Sequence, residues 1–188
     1  MTDLPYYAVT GGPGAGKTTL LDALAAAGHA VMPEAGRAVI RDQQAIDGPA
    51  LPWRDPAAFA EQMLGFDLRS HREAAALPGP VFFDRGLPDI VGYLRLTGLP
   101  VPDHLMRAAA TLRYRAVFLA PFWPEIYTRD TERRQGRAEA ERTCEAVAAA
   151  WRSFGYVPVP LPRAPVAERR AFVLSQLDAA RHGIAPRR

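Results

Sequence analysis

Gly11, four intervening residues and then Gly16-Lys17-Thr18 make a spacing suited to gripping a polyphosphate. The stretch Gly12, Pro13, Gly14, Ala15, Gly16, Lys17, Thr18 and Thr19 is the expected nucleotide-binding set. Its glycines allow the backbone to curl so that N–H groups point inward. The helix-forming run that follows offers its N-terminus and the positive end of its dipole. In this chemistry Lys17 reaches the β- and γ-phosphates, and the Thr18 hydroxyl holds Mg²⁺. Lys17 is the only lysine in the chain; every other long basic side chain is arginine, and asparagine is absent. A codon bias explains the arginines. A lysine retained here points to a need for a slender point charge rather than a forked guanidinium. As a residue of an exposed loop, Lys17 is expected to contribute little to the core.

Four further groups could act on a bound triphosphate. Val81-Phe82-Phe83-Asp84 is an apolar strand ending in a carboxylate, so Asp84 is a second candidate Mg²⁺ ligand opposite Thr18. Arg85 beside it could face an acceptor hydroxyl or phosphate. Glu34 follows a short strand by one proline. It could be a general base for an attacking hydroxyl, or an ordinary acid at a helix start. Arg37, three residues on, would share its helical face. Arg129, Arg133 and Arg134, with Arg137, crowd the charged segment from about 121 to 137. That segment reads either as a solvated helix or as a lid whose arginines close over phosphates. Trp53 and Phe59 could line an acceptor pocket or simply pack.

These groups need a scaffold that collects them. The 188 residues suffice for one domain, and neither an internal repeat nor a composition break suggests a second, so 1–188 is expected to be a single domain. Strands are expected at Tyr6–Thr10, Ala30–Met32, Val81–Phe83, Ala116–Ala120 and Tyr156–Val159, the last at an edge because of Pro158. Helices are expected over Lys17–Ala27, Ala38–Gln44, Pro56–Leu77 with Asp55 as N-cap, and Pro88–Leu96. Others are expected from an Asp103 cap to about Leu112, over Ala138–Phe154, and over Val166–Arg181. Residues 184–188 are expected to fray. Such alternation specifies an α/β fold: a doubly wound, five-stranded parallel sheet with helices on both faces. Ligands of such sheets sit beyond the carboxyl ends of the strands, where Gly11–Thr18, Glu34, Asp84-Arg85 and the segment 121–137 fall.

The totals set limits. A formal net charge of +3, with arginines spread along the chain, gives no nucleic-acid groove. The single cysteine, Cys144, excludes an internal disulfide and a cysteine zinc site, and is read as a packing residue. Apolar runs are broken by Arg, Asp or Pro, so no membrane span or signal peptide is expected and the cytoplasm is the expected compartment. A homodimer is left open.

Met32-Pro33-Glu34-Ala35-Gly36-Arg37, then Phe82-Phe83-Asp84-Arg85-Gly86, then the arginine-rich segment, in that order after the phosphate-binding loop, resemble the deoxynucleoside kinase group. Bacterial ribosylnicotinamide kinases are similar. The chain also looks like a set of bacterial AAA-family ATPases carrying Asp-Arg-Gly-x-Pro-Asp, here Asp84 to Asp89. The kinase resemblance implies a P-loop fold with a lid, and roles for Glu34 as base, Asp84 and Arg85 at Mg²⁺ and acceptor, and Arg129, Arg133 and Arg134 in the lid. Those kinases usually carry Ser where this chain has Gly86. The expected activity is transfer of the γ-phosphate of ATP, or GTP, with Mg²⁺, to a hydroxyl of a small nucleoside- or sugar-like acceptor. The alternative is a nucleotide switch or ATPase that acts through a protein or lipid partner.

Overall fold

The computed structural model of the chain describes residues 5–124 and 137–181. The elements, in order, are β1 (Tyr6–Gly11), α1 (Lys17–Ala26), β2 (Ala30–Met32), α2 (Ala35–Ala45), α3 (Pro56–Ala74), β3 (Val81–Asp84), α4 (Leu87–Leu96), α5 (Asp103–Thr111), β4 (Ala116–Ala120), α6 (Arg137–Ser153), β5 (Val159–Pro160) and α7 (Val166–Arg181). The strands form one all-parallel sheet in the order β2-β3-β1-β4-β5. β1 therefore lies between β3 and β4, with the phosphate-binding loop at its carboxyl end and Asp84 paired across to Val9.

Alternation along the strands sorts the core into two layers. Tyr7, Val9, Phe82 and Phe118 face α1 and α7, meeting Leu20, Leu24, Val173 and Leu177. Tyr6, Ala8, Val81, Phe83 and Val117 face the opposite side, where Trp151 and Val147 of α6 cover them. Beyond that second face, α2, α3, α4 and α5 build a further apolar cluster, joined by Ala150 of α6 and including Phe59, Met63, Ile90, Leu94 and Leu105. This outer cluster holds α2 and α3 together on that side of the sheet.

Local chemistry explains most boundaries. Asp55 caps α3 by accepting from the Ala58 N–H at 2.9 Å, with Pro56 at the first helical position. Three expectations need correction. α2 starts at Ala35 rather than Ala38, which makes Glu34 its N-cap residue. α5 is preceded by Pro102, and Asp103 lies inside its first turn without capping it. The final strand is Val159–Pro160, not Tyr156–Val159. Tyr156 is instead turned inward, its hydroxyl accepting from the Tyr114 N–H at 2.9 Å and its ring against Trp151, while Val157 is exposed. The short strand does lie at the sheet edge. Among the described residues, no helix is long and apolar enough to cross a membrane.

Candidate active site

The loop after β1 begins with a backbone that only glycine tolerates. Gly11 has φ 133°, and a Cβ there would collide with the Ala120 carbonyl of β4. Gly16 ends the loop in the left-handed region and serves as N-cap of α1, leaving the first N–H groups of that helix directed at the loop. Thr18 and Thr19 are exposed in the first turn.

Lys17 departs from expectation in one respect. It is buried, not exposed, and its ammonium donates to the carbonyls of Gly11 at 3.1 Å and Gly12 at 2.7 Å. Burial, and then the Arg85 guanidinium, lower its pKa to about 7 against the opposing pull of Glu34, Asp84 and Asp89. A phosphate beside it would supply the anion that such a cation lacks.

From the far end of the chain, Arg169 of α7 braces this loop. It donates to Ala15 O at 3.1 Å and Gly16 O at 3.3 Å, and is itself buried.

Arg85 is the centre of the polar cluster. Its backbone is left-handed, at φ 72°, and the N–H donates to Val9 O at 3.0 Å. The side chain thereby turns back over the loop. Nε donates to Glu34 at 2.9 Å, and Nη1 donates to Gly11 O at 3.0 Å and to Asp89 at 3.3 Å. Glu34 does not cap α2 with its side chain. Its two oxygens are divided between Arg85 and Arg37, the latter at 3.1 Å. Burial pushes the Glu34 pKa up, but Arg85, Lys17 and Arg37 outweigh it and the net shift is downward. Glu34 is therefore ionised at neutral pH.

Asp84 shows the opposite balance. Burial, with Glu34 nearby, raises its pKa to about 6 despite Arg85, Lys17 and Arg37. Its Oδ1 is buried with no hydrogen-bond partner among the described residues. An orphaned, desolvated carboxylate oxygen at the end of β3 is what a hard divalent cation would satisfy. Mg²⁺ commonly takes only one or two protein oxygens and completes its shell with phosphates and water. The donor set of Thr18 and Asp84 fits that habit.

Two residues of this cluster were not singled out for a role by sequence reasoning. Asp89, the last residue of Asp-Arg-Gly-x-Pro-Asp, is buried and accepts four hydrogen bonds. They come from the Thr10 hydroxyl, Arg85 Nη1, the Gly86 N–H at 3.1 Å and Trp151 Nε1 at 2.9 Å. Asp67 is buried on α3, and its pKa is raised to about 8 by burial and by the charges of Asp89 and Glu34. A signal for Asp67 was present: it falls on the apolar stripe of α3, one turn after Met63 and one before His71. Gly86 also finds its reason. A Cβ there would lie 2.7 Å from the Tyr114 hydroxyl and 3.1 Å from the Trp151 ring. The bulk of Tyr114 and Trp151 occupies the space that a Ser side chain would take.

The remaining candidates separate. Arg37 joins the cluster through Glu34, with 41% of its side chain exposed. Phe59 is buried in the outer apolar cluster, whereas Trp53 is 62% exposed. Arg129, Arg133 and Arg134, and with them most of the expected lid, lie outside the described residues, as does the tail 184–188. The described start of that segment is anchored, since Arg163 donates to Phe122 O at 3.0 Å. Cys144 is half-buried beside the Ala120 carbonyl.

The family model described as AAA domain matches residues 6–169. No curated protein matches the chain. Among solved structures, deoxyadenosine kinase from M. mycoides, with products dCMP and a flexible dCDP bound, superposes with a TM-score of 0.65 at 14% identity. That match covers 93% of this chain and 99% of that one. NadR protein in complex with NR superposes with a TM-score of 0.71 at 20% identity, covering 97% of this chain and 53% of the NadR chain, about half its length. At such identities the likeness is one of fold: an α/β P-loop, kinase-like architecture. With the family model spanning most of its length, the chain belongs to this AAA-domain family of P-loop proteins.

Proposed function

We propose that the protein is a small-molecule kinase that moves the γ-phosphate of ATP to a hydroxyl of a nucleoside- or sugar-like acceptor. The observation that carries this reading is the Glu34–Arg85 pair, 2.9 Å apart at the mouth of the phosphate-binding loop. Holding a nucleotide requires the loop, Lys17, Thr18 and Asp84. It does not require a second, ionised carboxylate facing the space beyond the γ-phosphate. Both structural neighbours bind nucleoside-type small molecules, which supports the same class of acceptor.

In this mechanism the loop N–H groups and Lys17 hold the triphosphate, while Arg169 keeps the loop in shape from behind. Thr18 and Asp84 would hold Mg²⁺, which when bound neutralises charge on the transferring phosphate and leaving group. Glu34 accepts a hydrogen bond from the acceptor hydroxyl and aims its oxygen at the γ-phosphorus. As the new P–O bond forms and the bond to the β-phosphate oxygen breaks, the hydroxyl proton passes to Glu34. A depressed pKa suits this order of events, because phosphoryl transfer has a loose transition state and proton transfer can come late. Arg85 orients Glu34 through Nε. Its Nη2 has no hydrogen-bond partner among the described residues and can meet the acceptor or the migrating phosphoryl group. The arginines Arg129, Arg133 and Arg134 are proposed to close over that group.

Labelled ATP and Mg²⁺ offered with a metabolite panel should give label transfer faster than hydrolysis. Glu34→Gln keeps the size and polarity but takes a proton poorly. It is expected to leave ATP affinity within a few-fold and to slow transfer about 10²–10⁴-fold. Transfer at the original rate would return Glu34 to a structural role. Hydrolysis with no acceptor in the panel would favour a nucleotide switch or ATPase.

A further inference from the structure

The turn that carries Arg85 runs straight into α4, and Gly86, the N-cap residue of that helix, has no side chain with which to cap it. The N–H groups of the first turn find partners all the same. The Gly86 N–H donates to Asp89 Oδ2 at 3.1 Å, Pro88 has no N–H, and the Asp89 N–H donates back to Gly86 O at 2.8 Å. There remains the N–H of Leu87, a fully buried residue, which donates to the Tyr114 hydroxyl at 3.4 Å. Tyr114 lies 27 residues further along the chain, between α5 and β4. Its hydroxyl stands 2.7 Å from the point where a Cβ of Gly86 would sit, so it fills the place of the missing capping side chain. The hydroxyl proton goes to His71 Nε2 of α3, 2.7 Å away. His71 accepts it as a neutral imidazole, because burial lowers its pKa to about 4. A phenylalanine would make the same edge contacts with Phe83 and Trp151. A buried hydroxyl is costly to desolvate and is explained here by its two partners.

We propose that Tyr114, oriented by His71, is a positioning residue for Arg85: a cap supplied from a distance that fixes the start of α4 and with it the turn just before. Two routes lead from the hydroxyl to the guanidinium. One is the backbone, since Gly86 directly follows the left-handed Arg85. The other is Asp89, whose place in the first turn of α4 sets the oxygen that accepts from both Thr10 and Arg85 Nη1. Without the hydroxyl the Leu87 N–H is a buried donor with no acceptor, and a shift of the first turn is the means of relieving it. Either route carries such a shift to Arg85 and so to Glu34, which Arg85 Nε holds at 2.9 Å. The inference rests on the kinase reading for its consequence in phosphotransfer. The placement of Arg85 can be measured without that reading.

The test is proton–nitrogen NMR of the chain labelled with ¹⁵N-arginine, because an Nε–H held on a carboxylate exchanges slowly with water. The Arg85 signal is identified by its absence from the Arg85→Lys spectrum. Tyr114→Phe removes the hydroxyl and keeps the ring. It is expected to speed exchange of the Arg85 Nε–H about 10-fold. Label transfer should slow about 10- to 100-fold, the scale of a misplacement that starts away from the chemistry. Affinity for a non-hydrolysable ATP analogue with Mg²⁺ should stay within a few-fold, which also shows that the variant is folded. Tyr114→Leu clears the space beside Gly86, and Gly86→Ser added to it supplies a cap in place. That double variant should regain the slow Arg85 signal which Tyr114→Leu alone loses. The proposal is overturned if Tyr114→Phe lowers the melting temperature and leaves the Arg85 signal unchanged. It is overturned equally if Gly86→Ser restores nothing in a double variant that still binds the analogue. A Tyr114-dependent Arg85 signal without label transfer to any acceptor would sustain the positioning role and sink the kinase reading. Transfer at the wild-type rate in Tyr114→Phe, with the signal intact, would do the reverse.

Discussion

Arg85 combines a strained backbone with a side chain engaged through Nε and Nη1. A non-glycine residue at φ 72° costs about 1–2 kcal/mol, and the turn it makes is what returns the guanidinium to Glu34 and Gly11 O. Substitution can separate the two effects. Arg85→Ala and Arg85→Gly should both abolish most phosphotransfer. The glycine variant, free of the strain, should unfold at higher denaturant, by about 0.5–1 kcal/mol relative to alanine. Equal stability of the two would mean that the turn relaxes once the side chain is gone. At this scale the sequence was informative where a residue acts by its own chemistry. The lysine, the strand-end aspartate and the proline-flanked glutamate are recognisable from type and spacing. What escaped were residues that act through others. The four donors of Asp89 come from β1, from β3's exit and from α6, which no local pattern links. The burial of Lys17 depends likewise on how the loop folds over it.

At the scale of elements, the site is tied to the sheet by α4 and α6. Trp151 of α6 is fully buried, and its indole N–H reaches Asp89, which in turn holds Arg85. Trp151→Phe keeps most of the apolar volume and removes that one donor from a carboxylate. It should cost about 1.5–3 kcal/mol in denaturant unfolding. If Asp89 positions Arg85, transfer should fall while nucleotide affinity is nearly unchanged, because the loop is untouched. A stability loss with unaltered turnover would make Asp89 a structural link only. The helices and four of the strands follow from apolar periodicity, proline and capping, and their observed bounds differ by only a few residues. The fifth strand was misplaced for a tertiary reason. The run Tyr156-Val157-Pro158-Val159 has strand character, but the Tyr156 hydroxyl is drawn into the core by the Tyr114 N–H, so pairing with β4 begins only at Val159.

For the molecule as a whole, the buried groups of α3 give stability a pH dependence that one substitution can reveal. The Asp67 pKa is raised from 3.8 to about 8 in the folded chain. Between those values the native state keeps a proton that the unfolded chain releases, so this group's contribution is complete below pH 3.8 and is lost as pH rises towards 8. His71 has the opposite sense within the acidic range. Burial lowers its pKa from 6.5 to about 4, so its contribution is lost as pH falls from 6.5 towards 4. Asp67→Asn removes the first effect alone. The variant should gain on wild type with rising pH, by up to about 1.4 kcal/mol per pH unit between pH 4 and 8, in urea unfolding without ligand. A difference that stays constant over this range would show Asp67 to be ionised in the folded protein. One further whole-chain property follows from Arg169, which holds the carbonyls of Ala15 and Gly16 from more than 150 residues away. During synthesis α7 therefore follows the loop by that whole length of chain, and the loop must wait for its brace. A ribosome-bound chain stalled before α7 would carry the whole glycine-rich motif with the Ala15 and Gly16 carbonyls unheld, so the shape of the loop is completed only when distant sequence has emerged.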